Sequence, residues 1–147
     1  MMNFVITILL IFLSACSVQS KTKSVEGKVS ITSNLANKIG PSDVLYILAY
    51  PVTNNNTDPK AKPESQPSQN PLAVHKIAPV ILPTKYSLSQ EDIIFPEKKF
   101  EGNLNVMARL QKNPESTPAQ RGEYEGWAKK NPVKPGDKNV DILLVSP

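Results

Sequence analysis

Three reactive residue types are scarce in this chain of 147 residues: there is one cysteine, Cys16, one histidine, His75, and only Arg109 and Arg121 as arginines. A lone cysteine excludes any intramolecular disulfide, so stability must come from packing even in an oxidising compartment. A lone histidine excludes the metal sites built on paired imidazoles. A blue-copper centre, for example, asks for two histidines, a thiolate and a weak thioether, and Met107 is the only methionine beyond the first two residues. No glycine-rich phosphate loop, zinc-ligand spacing or EF-hand loop occurs, no repeat of 20–50 residues is visible, and no cofactor is implied. A serine-type triad would have only His75 as its base. That residue is followed by Lys76 and has no acidic neighbour in sequence, so it reads as a surface or partly buried strand histidine. An enzyme is therefore not the expectation; a small hydrolase is the weakest of the readings that stay open.

Long apolar runs are also missing. The longest, Phe4 to Ala15, is about a dozen residues against the roughly 20 that a spanning helix needs. Its length suits a signal-peptide core, although Met1-Met2-Asn3 lacks the usual basic residues; an uncleaved anchor or a buried helix are the other readings. The run ends in Leu13-Ser14-Ala15-Cys16, which reads as a lipobox. A branched apolar residue and two small ones let an extended backbone enter a signal peptidase, and the thiol supplies the sulfur that is alkylated with a diacylglycerol. Cys16 is thus the expected lipidation site and first mature residue, with residues 1–15 as signal peptide and 16–23 as lipidated cysteine and polar tether. The expected location is the periplasmic side of a bacterial cell envelope. Ser17, not being aspartate, favours the outer membrane by enterobacterial sorting rules.

Positive charge is present but diffuse. The net charge of +4 comes almost wholly from scattered lysines, which read as a solvated surface and not as a nucleic-acid footprint.

What remains is a chain rich in proline and in short alternating segments. Val25 to Ile31 alternates with period two and predicts a half-buried strand. Asn34 to Ile39 predicts one helical turn with Asn34 as its cap, and Gly40-Pro41-Ser42-Asp43 a chain reversal. Val44 to Tyr50 is apolar on both faces and predicts a central strand covered on both sides. Residues 51–70 predict a long flexible loop. Further strands are expected at 71–77, 81–88, 104–110, 123–129 and 140–145, with Leu104, Val106, Ala108 and Leu110 facing inward. Six or seven short strands set off by Gly/Pro turns predict an all-β antiparallel sandwich over residues 24–147.

The ordered segments Gly27-Lys28-Val29-Ser30-Ile31, Ser42 to Ala49, Pro71-Leu72-Ala73-Val74 with Lys76, Leu82-Pro83, Tyr86-Ser87-Leu88, Val106 to Leu110 and Gly122-Glu123-Tyr124-Glu125-Gly126 resemble one periplasmic module. It is the C-terminal immunoglobulin-like domain of the cytochrome c maturation protein CycH/CcmI. The resemblance implies an immunoglobulin-like sandwich of about seven strands, an envelope address and a protein partner in c-type cytochrome biogenesis. The family's tetratricopeptide repeats and membrane-spanning segment have no counterpart here, and the 51–70 loop is longer than the family's. A structural envelope lipoprotein unrelated to haem is the alternative. Arg109, Tyr124 and Trp127 are the residues expected to anchor a partner, because aromatics and arginine dominate interfaces; the competing reading makes Tyr124 and Trp127 ordinary packing residues.

Overall fold

The computed structural model describes residues 22–52, 70–112, 115 and 123–146. Cys16, Arg121, most of the expected 51–70 loop and most of 113–122 lie outside the described residues. Seven strands form in chain order: β1 (Val25–Ile31), β2 (Val44–Pro51), β3 (Ala73–Ile77), β4 (Thr84–Leu88), β5 (Leu104–Gln111), β6 (Tyr124–Trp127) and β7 (Ile142–Leu144). They make a three-stranded sheet ordered β4-β1-β7 and a four-stranded sheet ordered β3-β2-β5-β6. This is the seven-stranded, two-sheet sandwich that the alternating segments predict.

Period-two patterning explains which side chains meet. Val25 and Val29 from β1, Tyr86 and Leu88 from β4, and Ile142 and Leu144 from β7 face Leu45, Ile47, Ala49, Val106, Ala108, Leu110 and Tyr124 of the other sheet, and all are buried in one core. Apolar area removed from water stabilises by about 25 cal/mol per Å², so this contact between sheets dominates the fold. β2 is buried along nearly its whole length, as a run apolar on both faces requires. Its even-numbered residues do not reach the core between the sheets. Val44, Tyr46, Leu48 and Tyr50 form a second cluster with Met107 on the opposite side of the four-stranded sheet.

Two expectations are corrected. The turn after β1 begins later than the Asn34 cap implies: it is a 3-10 turn over Ala36–Lys38 with buried Leu35 at the cap position and no side-chain capping bond. The loop is fastened from its far end instead, where Asp43 accepts the Gly40 N–H at 2.8 Å and meets Lys112 at 3.3 Å. The sandwich is also not wholly antiparallel, because β7 runs parallel to β1, with Val29 opposite Ile142 and Ile31 opposite Leu144. The reason is the crossover. After β6, Asn131 clamps Val106 with two side-chain bonds of 2.9 Å, and the chain then crosses to the other sheet and arrives beside β1 in the same direction.

β7 also joins the two sheets. While paired with β1, it reaches β6 through bridges between Glu125 and Val145 and between Ala128 and Ile142. The sandwich is therefore closed on the β6–β7 side, and on the other side β3 and β4 are the terminal strands of their sheets. The close approach of this last segment leaves no room for side chains at two glycines. A Cβ at Gly27 would lie 2.0 Å from the carbonyl oxygen of Val140, and one at Gly126 would lie 2.2 Å from that of Leu143.

Candidate partner-binding face and the His75–Asp92 pair

The outer face of the four-stranded sheet is built in rows by strand register. One row runs Lys76, Tyr46, Arg109, Glu125, and the next runs Val74, Leu48, Met107, Trp127. Tyr50 stands beside the second row, its ring centroid 6.0 Å from that of Trp127 and tilted by 45°. Aromatic pairs at this separation and tilt attract through ring quadrupoles in addition to the area they bury.

Arg109 is the charged element of this face. Its Nε lies 3.1 Å from Glu125 Oε1 on the neighbouring strand, both side chains being about one-fifth exposed. The contact is ionic and not a linear hydrogen bond. Arg109, Glu125 and Tyr46 are engaged in further interactions as well. The Tyr50 phenol feels both charges. Burial raises its pKa most, Arg109 opposes that both through its charge and by hydrogen bonding to the phenol, and Glu125 adds to the rise. Arg109 thus interacts with both the Glu125 carboxylate and the Tyr50 phenol, at the margin of a cluster in which Tyr46, Leu48, Tyr50 and Met107 are buried.

The three residues expected to bind a partner are divided by this geometry. Arg109 and Trp127 share the outer face, while Tyr124 is buried in the core opposite Leu110. Alternation along β6 puts Tyr124 and Gly126 on one side and Glu125 and Trp127 on the other. Tyr50 and Glu125 complete the outer constellation. The signal for them was cross-strand pairing, which period-two patterning alone does not supply.

A second constellation lies at the edge of the same sheet. His75 Nδ1 is 2.8 Å from Asp92 Oδ1. The other carboxylate oxygen of Asp92 accepts the Ser89 N–H at 2.8 Å, and Ser89 Oγ accepts the Glu91 N–H at 3.3 Å, closing the 3-10 turn Gln90–Asp92. The acidic partner invisible beside His75 in sequence comes from a turn 17 residues on. Ser-x-x-Asp before an apolar pair was the local sign of that turn, but nothing local points from it to His75. The pair ties β3 to the start of the following segment. Among the described residues, the hydrogen bond of the imidazole goes to Asp92.

His75 also borders an open cleft of about 730 Å³ shared with Glu26, Lys28, Lys85, Tyr86 and Asp141. Its charges are largely internal: Glu26 pairs with Lys138, and Asp141 accepts the Lys28 N–H at 3.0 Å. Tyr86 gives its hydroxyl to the Val140 carbonyl at 2.6 Å. Among the described residues no group of three or more His, Cys, Asp or Glu is placed to hold a metal.

Against known proteins, the chain is similar in fold to an alternative pilotin from the type II secretion system of Vibrio cholerae, with a TM-score of 0.50. The match covers 86% of this chain and 98% of the pilotin at 13% identity. The likeness is one of fold. In sequence, an uncharacterized protein of Aquifex aeolicus (strain VF5) is 27% identical over 124 residues, which are 84% of this chain and 71% of that protein. No family model matches. The sandwich expected from the resemblance to the CycH/CcmI module is present, but none of these comparisons points to that module in particular, and the fold neighbour is a pilotin instead.

Proposed function

We propose that this chain is a lipid-anchored, non-enzymatic protein of the bacterial envelope that acts as an interaction or assembly factor. The observation that carries the reading is the pilotin-like sandwich spanning nearly all of the pilotin's length, on a chain whose only cysteine stands in a lipobox. An anchored sandwich needs only a rigid face to hold a partner, and half-buried Arg109 and Trp127, packed beside buried Tyr50, are of the residue types that dominate interfaces. Fold alone does not name the partner. The likeness to a pilotin favours service to a secretion apparatus, and the ordered segments resembling the CycH/CcmI module favour c-type cytochrome maturation.

Deletion of the gene separates these forms. Loss of exported proteins from the medium with covalent haem staining intact supports the secretion role, and the reverse pattern supports maturation. If both export and c-type cytochromes stay at wild-type levels, the assembly-factor reading fails in both forms. The anchor is checked independently: Cys16→Ser should abolish incorporation of labelled fatty acid and release the domain from membranes. Fractionation identical to wild type would sink it.

A further inference from the structure

The β3–β4 connection is chemically unlike the rest of the surface. Residues 78–83, Ala-Pro-Val-Ile-Leu-Pro, carry no polar side chain, and no Asp or Glu occurs anywhere between Asn70 and Gln90. Val80 is buried and Leu82 packs on the core, so the loop is held from inside, while Ile81 between them is 75% exposed, the most exposed of the large apolar side chains among the described residues. Exposed lysines flank the loop on both strands, Lys76 on β3 and Lys85 on β4. The register puts Lys28 directly opposite Lys85, and like charges so placed repel unless an anion lies over them. Two carboxylates border this pair: Asp141 accepts the backbone N–H of Lys28, and Glu26 is paired with Lys138.

We infer that the tip at 78–83 is a membrane-surface element, with Ile81 entering the headgroup and upper acyl region while Lys76, Lys85 and Lys28 meet anionic phospholipid headgroups. An apolar projection backed by cations is the combination that partitions into an anionic interface, and lysine stems let the ammonium groups stay at headgroup level. A protein groove would satisfy Ile81 equally, but two cations flanking the tip, with no carboxylate in the stretch that carries them, fit a phosphate-rich plane better than a mixed-charge protein rim. The inference rests on the lipid-anchor reading of Cys16, and the tether permits it. Val29 pairs with Thr84, so the tip lies at the end of β1 away from its start. β1 spans about 23 Å, whereas the stretch from Cys16 to Ser24 can extend to about 30 Å. The second contact fixes the domain's tilt, which a single lipid on a tether does not do.

The test uses the full-length lipid-modified protein with Ile81→Cys. Because an acylated Cys16 offers no thiol, a polarity-sensitive fluorophore attaches only at position 81. In vesicles containing phosphatidylglycerol its emission should shift to the blue and be quenched by bilayer nitroxide lipids, while the same fluorophore at Ser87→Cys, further along β4, stays aqueous. Replacing Lys76 or Lys85 with Gln should weaken tip insertion roughly fivefold each. Water-like emission at position 81 on vesicle-bound protein overturns the inference and leaves the anchor standing. Burial that appears only in native envelope membranes, and not in pure anionic vesicles, also overturns it, by assigning the tip to a protein partner. If wild-type protein takes up the label at Cys16 and fails to float with vesicles, it is the anchor reading that has failed.

Discussion

Replacing Gly126 with alanine should unfold this protein at far lower denaturant. The added Cβ would sit 2.2 Å from Leu143 O, 2.8 Å from that carbonyl carbon and 3.0 Å from Ile142 Cγ2. Non-bonded carbon and oxygen settle beyond about 3.2 Å, so β7 would have to withdraw by about 1 Å. The obstacle is backbone, which cannot rotate away as a side chain can. Withdrawal stretches the reciprocal pair Glu125 N–H to Val145 O and Val145 N–H to Glu125 O, each 3.0 Å, beyond useful hydrogen-bond length. Overpacking costs about 1–3 kcal/mol and two weakened backbone bonds about 1 kcal/mol more, giving about 3 kcal/mol in all. That is roughly a hundredfold in the folding constant and about 10–15 °C in Tm for a domain of this size. Urea titration followed by Trp127, the only tryptophan and the neighbour of Gly126, reads it directly. Gly40→Ala is the control: its Cβ meets Asp43 Oδ1 at 3.6 Å, an ordinary contact, and its stability should stay within about 0.5 kcal/mol of wild type. A Gly126→Ala protein as stable as that control would refute the account of how β7 closes the sandwich.

Tyr86→Phe removes the buried 2.6 Å bond to Val140 and should cost about 1–2 kcal/mol by the same titration. Burial first, and the Asp141 charge second, raise the Tyr86 pKa well above the ordinary phenol value. The folded state therefore holds this proton more tightly than the unfolded one. Its contribution is complete below pH 10 and is lost as pH rises toward the folded pKa, so wild type should weaken above about pH 10 and the phenylalanine variant less steeply. Asp92→Ala removes both the cap of the 3-10 turn and the partner of His75, for about 1–2 kcal/mol, whereas His75→Gln should cost less in thermal melts because the cap survives. Trp127→Ala should weaken partner capture in the deletion-complementation assay while leaving Tyr124 packed; unchanged export and haem staining would remove the outer sheet face from the proposed function.

The strands were legible because each has a one-sided or two-sided apolar pattern that matches its place. Val25/Val29 and Leu104/Val106/Ala108/Leu110 alternate because one face is wet or polar, and Val44–Tyr50 does not alternate because both faces are buried. What could not be read concerns residues distant in sequence. Nothing local to Ile142–Leu144 says that it will lie parallel to β1, because the direction is set by where the 131–141 crossover deposits it. The same limit applies to the site. Arg109 and Trp127 were recognisable by type, but their association with Tyr50 and Glu125, and the separation of Tyr124 into the core, follow from register. The His75–Asp92 contact depends on a turn beyond β4 returning to the edge of β3.

The place of β7 also dictates when this protein can finish folding. β1, the first strand, has β4 on one side, and its other neighbour is the last strand of the chain. Closing that gap joins residues more than a hundred positions apart, which puts the slowest kind of contact at the end of assembly. Until residues 140–144 dock, the edges of β1 and β6 that they cover stay open, and the backbone that lies against Gly27 and Gly126 is not in place. A chain threaded through a membrane amino end first would thus emerge with one edge of β1 unpaired until Ile142–Leu144 has followed.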